Sequence, residues 1–286
     1  MIILSRRKKH LFKKIISRII TIVALTVFVY AGYGLFDIVM DYYKNRKTLN
    51  DLQVTFYDSA NAEDNNLSDQ ENLIGVSNND DDSDTYKEYV DDTQTTPTIQ
   101  PKFDDLLKQN EDVVGWITVD GTQIDYPILQ AEDNVKYLNR NFYHEESRAG
   151  SIFLDYRNDI QLDDERNIVV YGHRMKDGSM FQHITKFLDE DFFKEHRTIE
   201  FDTLYEHYEA EIFAVYNTLT TFDYIQTYFE DDHDYENLLT EIKDYSKFDA
   251  GVEVTADDKI ITLSTCDYVL DQDEGRLVLH AKLIEK

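Results

Sequence analysis

The chain has 286 residues, with 57 Asp/Glu against 29 Lys/Arg, and a formal net charge of −28. Such an acidic chain is unsuited to a nucleic-acid partner, whose phosphates must be neutralised by cations. Its one cysteine, Cys266, excludes an intrachain disulfide.

The charge is unevenly distributed. Residues 1–18 carry Arg6, Arg7, Lys8, Lys9, Lys13, Lys14 and Arg18 without a carboxylate, and Ile19 to Phe36 is uncharged. At ~1.5 Å rise per residue, eighteen helical residues cover ~27 Å, close to the ~30 Å hydrocarbon core of a bilayer. The expected organisation is therefore a basic cytoplasmic flank (1–18) and a single transmembrane signal-anchor (19–36). The positive-inside rule sends the rest of the chain outside the cell. A cleaved signal peptide is the competing reading. The apolar stretch exceeds the ~7 to 15 residues of a usual h-region, and Ala31-Gly32-Tyr33 is a poor cleavage site.

Residues 37–100 read as an acidic, largely disordered extracellular stalk. Between Asp51 and Gln100 there are thirteen acidic residues, one lysine and much Asn, Ser and Thr. This composition buries too little apolar surface to offset chain entropy. Tyr42, Tyr43, Leu49 and Leu52 allow a short helix to continue the anchor. As a flexible coil, fifty residues would span roughly 40 Å. The run Asn79 to Asp84 lacks the Gly and distal Glu of an EF-hand loop.

From Pro101 the texture changes to aromatics, β-branched residues and turn signals, and residues 101–286 are expected to form one domain. Phe103, Leu106 and Leu107 predict a short edge helix. Val114 to Val119 and Gln123 to Leu129 predict two strands flanking an Asp120-Gly121 hairpin signal. Further strands are predicted at Ser151 to Leu154, Asn167 to Tyr171, Thr198 to Phe201, His207 to Tyr216, Lys259 to Thr265 and Arg276 to Ile284. One longer helix is predicted where Tyr235, Leu238, Leu239, Ile242 and Tyr245 follow helical spacing. Many strands with few helices point to a mainly β barrel or sandwich.

Three residues at predicted strand ends have the chemistry of a thiol active site. Cys266, in Thr-Leu-Ser-Thr-Cys, would supply the thiolate, since an unassisted thiol is only a few per cent ionised at pH 7. His173, in Tyr-Gly-His-Arg, would act as general acid/base. Arg276, in Gly-Arg-Leu-Val, would donate to a developing oxyanion or orient substrate. Taken singly, each has a plainer reading: a buried small thiol, a turn histidine, and an arginine paired with Asp271, Asp273 or Glu274. The remaining histidines show no metal-ligand spacing.

Together these residues resemble the sortases, Gram-positive cell-surface cysteine transpeptidases, and class B in particular. Thr262 to Cys266 matches T-L-x-T-C, Gly172-His173 matches the Gly-His element, and Arg276 is the arginine of the following strand. Glu111 to Ile117, Ile124-Asp-Tyr-Pro-Ile and the helix before the cysteine strand also resemble class B. The resemblance implies an eight-stranded sortase β-barrel with peripheral helices. It also implies a Cys266 thioacyl intermediate with a Thr-containing C-terminal sorting signal, and transfer to a peptidoglycan-precursor or pilin amine. The partners would be secreted proteins bearing that signal, with the membrane reached through the N-terminal helix. No cofactor or metal is implied. Leu263, Ser264, Thr265 and Asp267 flank the nucleophile as candidates for shaping the substrate pocket. An L,D-transpeptidase would show His-Gly before its cysteine, and a peptidoglycan endopeptidase would place Cys before His. A non-catalytic stalked adhesin would leave the three motifs without a purpose.

Overall fold

The computed structural model describes residues 2–74, 98–159, 161, 165–267 and 269–284. The chain divides into two compact units, residues 1–45 and Arg46–Lys286. The first consists of the N-terminal part of helix α1 (Ile2–Ile74). Its side chains from Ile19 to Phe36 are exposed, including Phe28, Val29 and Leu35. Among the described residues, this is the one helix long and apolar enough to cross a membrane.

The second unit is built on a closed eight-stranded barrel. Its strands are β1 (Val113–Val119), β2 (Asp125–Leu129), β3 (Ile152–Leu154), β4 (Asn167–Tyr171), β5 (Thr198–Thr203), β6 (His207–Leu219), β7 (Ile260–Cys266) and β8 (Gly275–Ile284). The order around the barrel is β1-β2-β3-β4-β7-β8-β6-β5. Each strand lies where the sequence predicts one, with ends shifted by at most three residues. The β2–β3 and β4–β7 pairs are parallel and the remaining neighbours antiparallel. Closure leaves no unpaired edge along the barrel wall.

Local chemistry accounts for the joints. Gly121, with φ +68°, makes the β1–β2 turn. Gly115 lies so near β5 that a Cβ would sit 2.4 Å from the Asp202 carbonyl oxygen, so only glycine allows that approach. Inside the barrel, Ile117, Ile128, Val170, Ile199, Val215, Leu263 and Leu279 have essentially no exposed surface.

Helix α4 (Asp232–Tyr245) is capped by the Asp231 carboxylate, which accepts from the Asp234 amide. It lays Tyr235, Leu238, Leu239 and Ile242 over Phe213, Ile260 and Val278. Of the local aromatic run, Phe222, Tyr224 and Phe229 pack into this cluster, while Tyr228 is exposed. The short edge helix appears as a 3-10 turn (Pro101–Phe103) followed by α2 (Asp104–Leu107). A 3-10 helix (Phe181–Leu188) and α3 (Glu190–Glu195) lie in a stretch for which no helix was predicted.

The expected boundary at residue 101 requires correction. The folded unit begins at Arg46, and part of the expected stalk is helix packed on the barrel. Leu52 and Phe56 are buried, the Phe56 ring stacking on Trp116 at 4.2 Å and 4°. Tyr57 Oη donates to Asp125 Oδ1 at 2.9 Å, and Gln53 Nε2 to the Asp125 carbonyl at 2.8 Å. The physical reason is local. Leu52 and Phe56 stand four residues apart on one helix face, and each buried side chain of this kind contributes ~1.5–3 kcal/mol. Average composition over fifty residues hides two anchors of that size. Residues 75–97 of the expected stalk lie outside the described residues.

Candidate active site

The barrel register brings the three sequence candidates side by side. Strands β4 and β7 pair in parallel, with Tyr171 opposite Ser264 and the Gly172 amide donating to the Ser264 carbonyl at 3.2 Å. Two residues further along each strand, at the same offset, stand His173 and Cys266. On the other side of β7, the antiparallel pairing with β8 makes Cys266 and Arg276 Cα partners. Directly opposed residues of an antiparallel pair project to the same face, their Cα atoms ~4.5–5.5 Å apart.

Two glycines permit this convergence. A Cβ on Gly172 would lie 2.4 Å from Ile152 Cδ1 and 2.8 Å from the Phe181 ring. A Cβ on Gly275 would lie 2.0 Å from the Asp267 carbonyl oxygen and 2.5 Å from that of Asp271. The Asp267 amide accordingly donates to the Gly275 carbonyl at 3.0 Å, closing the β7–β8 connection.

His173 and Cys266 are both half-buried, and each shifts the titration of the other. The His173 hydrogen bond lowers the Cys266 pKa; burial opposes the shift, and the Arg276 charge assists it. The His173 pKa is raised by the bond to Cys266, against burial, with help from the Leu138 carbonyl, which lies 2.7 Å from Nε2. Both shifts favour a thiolate beside an imidazolium. Arg276 donates from Nη1 to the carbonyls of Asp273 (3.0 Å) and Gly275 (2.8 Å). Among the described residues it forms no ion pair with the neighbouring acids, so the plainer reading of that arginine does not describe it.

The four flanking candidates are buried. Leu263 belongs to the core, and Ser264 Oγ shares a 2.8 Å hydrogen bond with Tyr224 Oη. Thr265 Oγ1 has no hydrogen-bond partner among the described residues. Asp267 accepts from Arg174 Nη1 at 2.6 Å and from Asn217 Nδ2 at 2.5 Å. Arg174, with Lys176, Gly178, Gln182, His183 and Gln272, lines an open groove beside this network. Sequence reasoning missed Arg174, Asn217 and the Leu138 carbonyl. Only Arg174 had a signal, its place next to His173. Among the described residues no cluster of His, Cys, Asp or Glu is arranged to hold a metal ion.

Comparison with known proteins agrees with this arrangement. Residues 117–284 match the family model of the sortase domain. The chain is 39% identical to sortase B of Listeria monocytogenes over 274 residues, covering 96% of this chain and 99% of that one. It is 41% identical to sortase B of Staphylococcus aureus over 187 residues, 65% of this chain and 76% of that one. Among solved structures, Bacillus anthracis sortase B in complex with AAEK1 superposes with a TM-score of 0.69 at 42% identity, covering 87% of this chain and all of that one. A Staphylococcus aureus sortase B–substrate complex gives 0.68 at 34% identity, covering 86% and 99%. The barrel order, the motif order and these likenesses converge: the chain belongs to the sortase family of cysteine transpeptidases, and within it to class B.

Proposed function

We propose that this transpeptidase is held in the cell membrane by the apolar stretch 19–36, with the unit from Arg46 onward outside the cell. There it would join secreted proteins bearing a Thr-containing C-terminal sorting signal to a cell-wall or pilin amine. The observation that carries this reading is the convergence of His173, two residues past the end of β4, with Cys266 and Arg276, which are Cα partners on β7 and β8.

The reaction follows from those groups. The Cys266 thiolate attacks the Thr carbonyl carbon, and the carbonyl electrons move to oxygen, where the Arg276 guanidinium stabilises the charge. As the C–N bond breaks, the His173 imidazolium gives its proton to the leaving amine, producing a thioester and neutral imidazole. The acceptor amine then attacks the thioester, loses a proton to His173 and expels the thiolate. The product amide carries the new bond, and the Cys266–His173 pair returns to its starting charge state.

The test is to incubate the full-length enzyme in detergent with C-terminal sorting-signal peptides and an amine acceptor, recording mass spectra of enzyme and products. An acyl adduct and ligated product are expected from the wild type and absent with Cys266→Ala. Ligation by Cys266→Ala at the wild-type rate would remove Cys266 from the chemistry. Arg276→Lys should lower the acylation rate about a hundredfold, because an ammonium lacks the planar fork of donors.

A further inference from the structure

We propose that the main-chain carbonyl of Leu138 is the third positioning group of the site, holding the His173 ring by its Nε2–H so that Nδ1 is presented to Cys266. The inference rests on the reading of His173 as general acid/base given above.

The observation is the 2.7 Å contact between His173 Nε2 and the Leu138 carbonyl oxygen. A carbonyl only accepts, so the contact is a hydrogen bond only when Nε2 carries the proton. In the neutral ring this leaves Nδ1 as the lone-pair nitrogen, and in the cation it makes Nδ1–H the donor to the thiolate. In thiol and serine hydrolases the same work is commonly done by a carboxylate or amide side chain that fixes the tautomer of the histidine. Among the described residues His173 forms no ion pair with a carboxylate, and Cys266 is the ionisable group that acts on it. Asp267, the nearest acid in sequence to the thiol, is engaged by Arg174 and Asn217.

The loop between β2 and β3 is constructed to hold that carbonyl still. Tyr137 is buried, and its hydroxyl donates to Asp112 Oδ2 at 2.5 Å. The Ser151 amide donates to the Tyr137 carbonyl and the Ser147 amide to that of Asn139, each at 3.0 Å, bracketing Leu138 on both sides. Gly150, at φ +58°, lies directly against the Tyr137 and Leu138 carbonyl oxygens. A Cβ there would sit 2.5 and 2.6 Å from them. Both the positive φ and the lack of space restrict position 150 to glycine. The Leu138 side chain is itself partly exposed, so the residue contributes through its backbone.

The decisive experiment replaces Asn139 in the full-length enzyme by its α-hydroxy acid, which turns the Leu138–Asn139 amide into an ester with a weaker acceptor carbonyl. Three readouts are taken: the ¹⁵N shifts of the His173 ring, the pH dependence of Cys266 alkylation, and kcat and KM for peptide ligation. The expected result is a loss of the Nε2–H tautomer, an upward shift of the thiol titration, and a fall in kcat of about tenfold with KM nearly constant. Gly150→Ala should reproduce this signature by displacing the same oxygen, while Leu138→Ala, which keeps the carbonyl, should retain the wild-type tautomer. An ester enzyme with unchanged ¹⁵N shifts would overturn the proposal, even if its activity fell. His173→Ala serves as the separating control: near-normal ligation by that variant would defeat the acid/base reading itself, whereas an inactive His173→Ala beside a silent ester would defeat only the role of Leu138.

Discussion

Arg174 donates to the Asp267 carboxylate across 2.6 Å, and these two residues immediately follow His173 and Cys266 in the chain. One ion pair, with its carboxylate buried and its guanidinium part-exposed, thus ties the segment after β4 to the end of β7, one residue beyond His173 and Cys266. Asp267 is 2% exposed and also accepts from Asn217 on β6. Removing one partner leaves the other charge buried without compensation, which costs ~3–5 kcal/mol in fully buried pairs; the part-exposed Arg174 places this one at the lower end. Arg174→Gln should therefore lower unfolding free energy by roughly 2–3 kcal/mol and slow ligation at least tenfold. Denaturant melts and kcat/KM measured together check this, and a stable, fully active Arg174→Gln would show that the clamp does not set the site geometry.

The thiol titration should depend on its histidine. With the Cys266 pKa lowered chiefly by the His173 hydrogen bond, alkylation by iodoacetamide should reach half its maximal rate below the ordinary thiol range of ~8.5. In His173→Ala the hydrogen bond is gone and burial remains, so the midpoint should move upward. A midpoint unmoved by that substitution would mean the lowering comes from elsewhere.

Phe56→Ala should release the helix segment that covers Trp116. The substitution removes the 4.2 Å stack and a ring packed beside Leu52 and Phe103. Loss of a buried phenylalanine costs ~3–5 kcal/mol where the site cannot collapse. Faster hydrogen exchange is expected first in residues 50–57, before the strands of the barrel. Uniform exchange rates across both regions would instead place the helix within the same cooperative unit as the barrel.

His280 predicts a particular acid sensitivity. Its ring is fully buried between Tyr216 Oη and Thr262 Oγ1, each 2.8 Å away, and burial lowers its pKa to about 3. The folded protein therefore keeps the ring neutral while the unfolded chain protonates it below the ordinary value of ~6.5. The stabilising contribution is complete above pH 6.5 and declines as pH falls towards 3, by up to about 1.4 kcal/mol per pH unit. His280→Asn should flatten this part of the stability profile relative to wild type, even if its stability at pH 7 is lower. An identical slope in the two proteins would assign the acid sensitivity to the carboxylates.

Much of the architecture was legible because strand-forming residues announce themselves locally. Asp120-Gly121 marked the first hairpin, alternation marked β6, and helical spacing of Tyr235, Leu238, Leu239 and Ile242 marked α4. Where the pattern was sparse the reading failed. Leu52 and Phe56 are two apolar residues in an acidic stretch, and nothing in the segment itself indicates that Trp116 awaits them. The 3-10 helix Phe181–Leu188 lacks a side-chain cap, so its start carries no sequence signature.

The chemistry divides in the same way. By itself, the sequence determined which reactive groups the chain offers, one thiol, a Gly-His element and an arginine on the following strand, in family order. It also determined that Cys266 and Arg276 meet, because a short connection between antiparallel strands places them opposite each other. Only the tertiary structure decided that His173 joins them, through the parallel pairing of β4 with β7 across 88 residues of intervening chain from Tyr171 to Ile260. It alone placed the Leu138 carbonyl against the ring and Asn217 against Asp267. The physical reason is that a backbone carbonyl is the same group at every residue. Its role is set by where the fold puts it, and no side chain records that position.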